Sequence, residues 1–316
     1  MQNSVTAYHI PALLRETIDL LDIKPEGIYV DVTFGGGGHS REILKRLGPN
    51  GKLYGFDRDL DARENVPDDP RFTFVHSDFR YISNFMKFYG VERVDGILGD
   101  LGVSFHHFDT PHRGFSFRSE APLDMRMNSN APLSAKDIVE KISETDLRDL
   151  LKRHTDIKNI GAIAKAICIS RREKPIITTT DLVETVSPHL NPKSVKKELA
   201  QVFQALRIET NDETGALESL LQQSGKLLKR KGRIAILTYH SGEDRVVKDF
   251  FKTGTLPGAK RDDNASLIYG ASKSPWKLIT KAPITASEEE VEANPRSRSA
   301  KLRVAELIAN QDSKQI

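Results

Sequence analysis

The chain has 316 residues, 38% hydrophobic and 29% charged, enough for a sizeable core and two domains of a globular protein. Its single cysteine, Cys168, excludes a disulfide framework and a cysteine metal cluster, and no apolar stretch is long enough to span a bilayer. With a formal net charge of only +3, contact with nucleic acid must come from local basic patches, not from a global field.

From the start, Met1-Gln2-Asn3-Ser4-Val5 carries neither a charged nor an apolar leader region, so a reducing cytoplasm is the expected compartment. Pro11–Leu21 places Leu13, Leu14, Ile18 and Leu21 at helical spacing behind a first-turn proline. The apolar run Gly27-Ile28-Tyr29-Val30 predicts a strand at 28–32, and four consecutive glycines, Gly35–Gly38, then lead through His39 and Ser40 into a helix at 38–47. Glycine tolerates positive φ and has no Cβ, so such a loop can lay bare backbone against a small ligand. A second strand, 52–56, ends beside Asp57, roughly 20 residues past the glycines, where nucleotide-binding α/β folds place the carboxylate for ribose hydroxyls. Together the two signals predict an adenosine-containing ligand; a tight loop with a solvated aspartate is the plainer alternative. A helix at 59–64, a strand at 71–75, a helix at 78–89 and a strand at 94–99 continue the alternation of a parallel, doubly wound sheet.

At Asp100 the alternation stops. A polar loop with Gly, His and Pro runs to about residue 131, and consecutive helices follow near 134–141, 144–153, 158–173, 180–187 and 194–208, with Ser143-Glu144-Thr145-Asp146 predicting a capping box for the second. Strand signal returns at Arg233–Thr238, Trp276–Lys281 and Lys301–Leu307. Residues 1–104 and 211–311 therefore read as one Rossmann-like α/β domain. Residues 105–210 read as a helical insert that would roof a cleft at the carboxyl end of the fourth strand, and 312–316 as a frayed tail.

Two adenosine cofactors compete. A dinucleotide wants G-x-G-x-x-G with a small last residue, and here Ser40 stands there. S-adenosyl-L-methionine has no phosphate, and Gly96-Ile97-Leu98-Gly99-Asp100-Leu101-Gly102 puts an acidic residue at the sheet edge where an acceptor group would sit. Between the last two strands the only helical segment is the short acidic Ser287–Ala293, which suits an antiparallel final strand, and a methyltransferase sheet.

Taken together, these blocks resemble the bacterial 16S ribosomal RNA cytosine-N4 methyltransferases over nearly the whole chain. The blocks are His9–Leu14, Asp31–Ser40, Asp57-Arg58-Asp59, Asp100-Leu101-Gly102-Val103-Ser104, Arg113–Phe117, Pro122–Met127, Phe203–Ile208, His240-Ser241, Glu243-Asp244-Arg245 and Asn294–Ser299. The resemblance implies a class I methyltransferase sheet with an inserted all-helical substrate domain, S-adenosyl-L-methionine as cofactor, and 16S rRNA in the small ribosomal subunit as partner. It implies cofactor contacts at Gly37, Gly38, His39, Asp57, Phe79 and Asp100, and at His107, where the family usually has glutamine. Phe79 would flank the adenine. Departures from the family pattern fall at Gly99, Phe105 and Gly242. No membrane contact is expected, and a homodimer is compatible with the sequence.

Asp100, Ser104 and Asp124, all in these blocks, are the catalytic candidates. Asp100 could hold the amine N–H and favour the cation formed during transfer, or only contact the cofactor. Attack through cytosine C5 would need a cysteine nucleophile, and Cys168 lies in the apolar helical run 163–169, as a buried filler. Arg113, Arg118 and Arg126 interleave with Phe115 and Phe117 in a pattern that suits an unpaired RNA nucleotide; a folded loop plugging the core between the domains is the alternative. The basic runs at 171–174, 193–197 and 229–231 could contact phosphate or be solvated faces. His106, His107, Asp109 and His112 match no familiar zinc spacing, so no metal is expected. Two rival readings are a nicotinamide-dependent oxidoreductase and a catalytically silent RNA-binding protein.

Overall fold

The computed structural model describes residues 11–103, 110–256, 258 and 274–309. The chain divides into two compact units: Met1–Gly102 with Gly215–Ile316, and Val103–Thr214. Helices α1 (Leu14–Leu21), α2 (Gly38–Arg46) and α3 (Ile82–Phe88) belong to the first segment of the first unit. Helices α4 (Ala135–Lys141), α5 (Glu144–His154), α6 (Ile160–Glu173), α7 (Thr179–Val186) and α8 (Val195–Asn211) build the second unit. The chain then enters α9 (Glu213–Leu227), α10 (Ser241–Thr253) and α11 (Glu288–Ala293).

The first unit is organised on an eight-stranded sheet: β1 (Ile28–Asp31), β2 (Lys52–Asp57), β3 (Phe72–His76), β4 (Val94–Asp100), β5 (Leu228–Thr238), β6 (Trp276–Leu278), β7 (Ile284–Thr285) and β8 (Lys301–Leu307). The order is β3-β2-β1-β4-β5-β8-β6, with β7 also pairing β8. β1 to β5 are parallel, and β8 runs antiparallel to β5, β6 and β7. This is the Rossmann-like arrangement with the antiparallel strand that the short acidic linker predicted.

Successive strand residues feed two separate cores, as the period of a strand requires when both faces are covered. Val30, Tyr54, Ile97 and Ile234 pack with Ile82 and Met86 of α3, Leu217 and Leu220 of α9, and Val247 and Phe250 of α10. Their neighbours Tyr29, Leu53, Leu98 and Ala235 pack with Leu13, Ile18 and Leu21 at α1 and Ile43 and Leu44 of α2. Each large side chain buried this way contributes about 1.5–3 kcal/mol.

Several elements differ from the sequence reading. The helix expected at 59–64 is a 3₁₀ turn, Leu60–Asn65, opened by Asp59, whose carboxylate accepts from the Asp61 amide. The helix expected at 78–89 is a 3₁₀ turn, Phe79–Tyr81, followed by α3. Helix α9 was not foreseen: α8 stops at Asp212 in the left-handed region (φ 44°) and α9 begins on the next residue, so no turn-rich linker marks it. β5 begins upstream of the expected strand, but its register against β4 shifts before Arg233, with Lys231 at φ 66°. In the basic run 229–231, the Lys229 ammonium lies 2.7 Å from the buried Asp95 carboxylate.

The second unit has its own core of Val139, Leu150, Ile167, Leu182, Val202 and Leu206 from α4 to α8, closed by Phe115, Leu123, Met125 and Met127 from the preceding loop. Capping boxes start α4 (Ser134 with Asp137) and α7 (Thr178 with Asp181). At Ser143 the expected box is half formed: the hydroxyl accepts from the Asp146 amide, but Asp146 takes the Ser143 hydroxyl instead of its backbone N–H. Among the described residues, no helix is long and apolar enough to cross a membrane.

Candidate active site at the carboxyl ends of the parallel strands

The strand order reverses between β1 and β4, and the carboxyl ends of the strands at such a reversal are the place where open α/β sheets hold ligands. Three carboxylates stand at strand ends along this edge: Asp31 on β1, Asp57 on β2 and Asp100 on β4. Tyr239 follows the end of β5 directly.

Asp31 is fully buried. Its Oδ2 accepts from the Ser40 hydroxyl at 2.7 Å and its Oδ1 from the Thr33 amide at 3.1 Å. Thr33 passes the order on, its Oγ1 accepting the Asp100 backbone N–H at 2.6 Å. The Tyr239 hydroxyl donates to Asp100 Oδ1 at 2.7 Å. Burial pushes the Asp31 carboxyl up to about 6, against the hydrogen bonds from Ser40 and Thr33. Burial likewise pushes Asp100 up to about 7, with Tyr239 opposing the rise and the Asp31 and Glu243 charges adding to it. His39 Nδ1 sits 3.7 Å from Asp100 Oδ2, but burial pushes this imidazole down to about 4, so the pair is a neutral ring beside an acid and not a salt bridge at neutral pH. Buried Glu243 accepts the Tyr239 N–H at 3.2 Å, and His240 Nδ1 accepts the Glu243 amide at 3.4 Å, opening α10.

The glycine loop joins this edge to α2. Gly35 and Gly37 hold φ of 48° and 73°, a region costly for other residues. The Gly35 amide donates to Asp57 Oδ2 at 2.8 Å, the Asp59 amide donates to Oδ1 at 2.8 Å, and the Asn65 amide nitrogen donates to the Gly35 carbonyl at 3.0 Å. A Cβ at Gly36 would meet no described atom within 4 Å, so that backbone faces open space. Gly38, expected to touch the cofactor, serves packing as well: a Cβ there would come within 2.6 Å of Pro11. At the start of α2 the first-turn amides have no intrahelical acceptors and present the positive end of the helix dipole.

The remaining predicted residues fall as follows. Phe79 is buried in the core beside Ile82 and Met86, with the Arg58 guanidinium 5.7 Å from its ring centre. Ser104 and His107 lie outside the described residues, as do Phe105, His106 and Asp109. Asp124 belongs to the second unit, where both its oxygens accept from the Arg126 guanidinium at 2.9 and 2.7 Å; against its partial burial, that guanidinium holds its carboxyl below the usual range. So held, Asp124 clasps its own loop within the second unit.

The loop 113–127 needs correction. Arg113 is buried and donates to the Arg126 and Met127 carbonyls, Arg126 is taken by Asp124 and the Ala131 carbonyl, and Phe115 sits in the core of the second unit. Phe117 rests on Phe203 with ring centres 5.4 Å apart, and only Arg118 of the three arginines is exposed. The folded-loop alternative describes these side chains better than a set of stacking aromatics, and the phenylalanines plug the core of the helical unit itself. Sequence reasoning missed Tyr239, Thr33 and the weight carried by Asp31; the signal for Tyr239 was its position one residue past the expected strand 233–238, on the same edge as Asp100.

Comparison with known proteins decides the family: residues 6–308 match the MraW methylase family. The chain belongs to that family. A protein named "Ribosomal RNA small subunit methyltransferase H" from Parabacteroides distasonis is 52% identical over 98% of this chain and 100% of its own length. Its namesakes from Phocaeicola vulgatus and Porphyromonas gingivalis are each 50% identical, over 97% and 96% of this chain and 99% and 98% of theirs. Members of the MraW methylase family use S-adenosyl-L-methionine, as the sequence resemblance implied, and the site suits that cofactor. Open backbone at Gly36 and the amide-rich start of α2 suit its carboxylate end, and Asp57 stands at the end of β2 beside the glycine loop, where such sheets hold a ribose.

Proposed function

We propose that this chain methylates 16S ribosomal RNA of the small subunit, at the N4 amine of a cytidine, in the cytoplasm. The observation that carries the reading is Asp100, an acid lifted to about 7 at the reversal point of the sheet, beside the glycine loop. The family and the printed names of the full-length relatives support a small-subunit rRNA substrate.

When bound, the cofactor supplies an electrophilic methyl on its sulfonium. Gly35–Gly38 and His39 would cradle its methionine end and Asp57 would hold its ribose. The exocyclic amine of cytosine is a poor nucleophile because its lone pair is drawn into the ring, so the protein's work is aiming and charge. Holding the amine in line can lower the barrier by about 7–11 kcal/mol. Asp100 accepts one N–H, localises the lone pair, offsets the positive charge growing on nitrogen, and takes the proton the methylated amine releases. Nitrogen is favoured over C5 because the one cysteine, Cys168, is buried in α6. Exposed Arg118, Arg172, Lys193, Lys196 and Lys197 give the second unit a basic surface for RNA phosphates.

The test uses methyl-labelled S-adenosyl-L-methionine and small subunits lacking the modification. Label is expected in N4-methylcytidine after digestion to nucleosides, and Asp100→Asn should lower the rate roughly 100-fold or more. Label in 5-methylcytidine contradicts the acceptor atom; no label with folded, cofactor-binding protein contradicts the enzyme reading.

A further inference from the structure

Asp100 is held at two points, by residues that follow two different strands, β1 and β5. Its backbone N–H is fixed on Thr33 Oγ1, and its side chain meets the Tyr239 hydroxyl. Among the described residues no hydrogen bond reaches Oδ2. Tyr239 is itself locked: its amide donates to Glu243, and its ring lies against Gly102, where a Cβ would approach the ring within 3.2 Å. Gly102 holds φ 119°, so the backbone there leaves that space free. A carboxylate otherwise turns broadly about its last torsion; here one oxygen is tethered and the other is left over.

The groups facing Asp100 are Asp31 from β1, His39 from α2, Glu243 from α10 and Tyr239 after β5. Asp31 and Glu243 oppose its ionisation, and His39 is neutral, so Tyr239 is the facing side chain that favours the charged acid. Burial and the adjacent carboxylates push the phenol well above its ordinary value, so it stays protonated and donating.

We propose that Tyr239 is a positioning residue for methyl transfer: its hydroxyl claims Oδ1 of Asp100 and leaves Oδ2 as the acceptor for the substrate amine. The inference rests on the function proposed above and adds a residue outside the blocks of the family resemblance.

Two readouts test it. The first is titration of 13C-labelled aspartate carboxyls by NMR, without substrate, with Asp100→Asn assigning the signal. The second is the pH–rate profile for methyl transfer to small subunits. Tyr239→Phe should raise the Asp100 midpoint and the acid limb of kcat by roughly one pH unit, slow transfer roughly tenfold near neutrality, and converge on the wild-type rate at alkaline pH. Cofactor KM should not change. Difluorotyrosine at position 239, which strengthens the donor without altering the packing, should move the midpoint the other way. Superimposable titrations and profiles in all three proteins would overturn the proposal, as would a Tyr239→Phe rate loss equal at every pH. Wild-type protein that transfers no methyl at any pH counts against the function reading alone, because the NMR titration reports on Tyr239 without turnover.

Discussion

Asp100 carries a cost that can be measured apart from catalysis. Its carboxyl is raised to about 7 in the folded chain, above the ordinary value of about 3.9, so folding disfavours the ionised form. The sign follows from linkage: the native state holds a proton that the unfolded chain releases, so stability falls as pH rises from about 4 through about 7. The penalty is of the order of a few kcal/mol when complete. Asp100→Asn keeps an acceptor for Tyr239 and removes the charge. It should therefore melt higher than wild type at pH 8, with the gain shrinking toward zero near pH 5, while transfer is lost. A gain that is larger at pH 5 than at pH 8 would show that burial does not destabilise the ionised acid. Asp100 and Asp57 were visible in the sequence because strand ends are places where chemistry collects. Tyr239 was not, since 139 residues separate it from the acid it touches, and only the pairing of β4 with β5 brings them together.

Between β1 and α2 the glycine loop is a turn, and the proposed function makes it a binding surface as well. Gly37 combines φ 73° with a Phe34 ring atom 2.9 Å from where a Cβ would stand. Gly37→Ala would both strain the backbone and push Phe34, shifting the amides that open α2. Calorimetric titration should show S-adenosyl-L-methionine binding weakened at least tenfold (about 1.4 kcal/mol) with the melting profile still cooperative. Unchanged affinity would remove this loop from the cofactor site. The turn itself could be read from the sequence, because glycine's freedom at positive φ is a local property. Helix α9 could not, because its start is set by one left-handed residue, Asp212, and no linker composition marks the break. The arginine-rich loop misled for a related reason: Arg113 and Arg126 look like RNA ligands in sequence, but their partners are the carbonyls of Arg126, Met127 and Ala131 and the carboxylate of Asp124, whose nearness no spacing rule states.

Across the whole molecule, the two units answer to different rules. The sheet unit gathers its core from both chain segments, and the second unit closes a core from one continuous stretch. Alternating strand and helix periods made the first legible, and a run of helices without strands made the second legible. What neither pattern reveals is the substrate atom, because that is chosen by a few groups at one edge of the sheet. The central claim is that this edge, through Asp100, delivers a methyl to a cytidine amine of small-subunit RNA. It is tested most directly by mass spectrometry of nucleosides and fragments of 16S rRNA from cells whose sole copy of the protein is wild type or Asp100→Asn. The account predicts one N4-methylated cytidine in the wild type that reverts to its unmethylated mass in the variant; the same methylated fragment at equal abundance in both strains would contradict it.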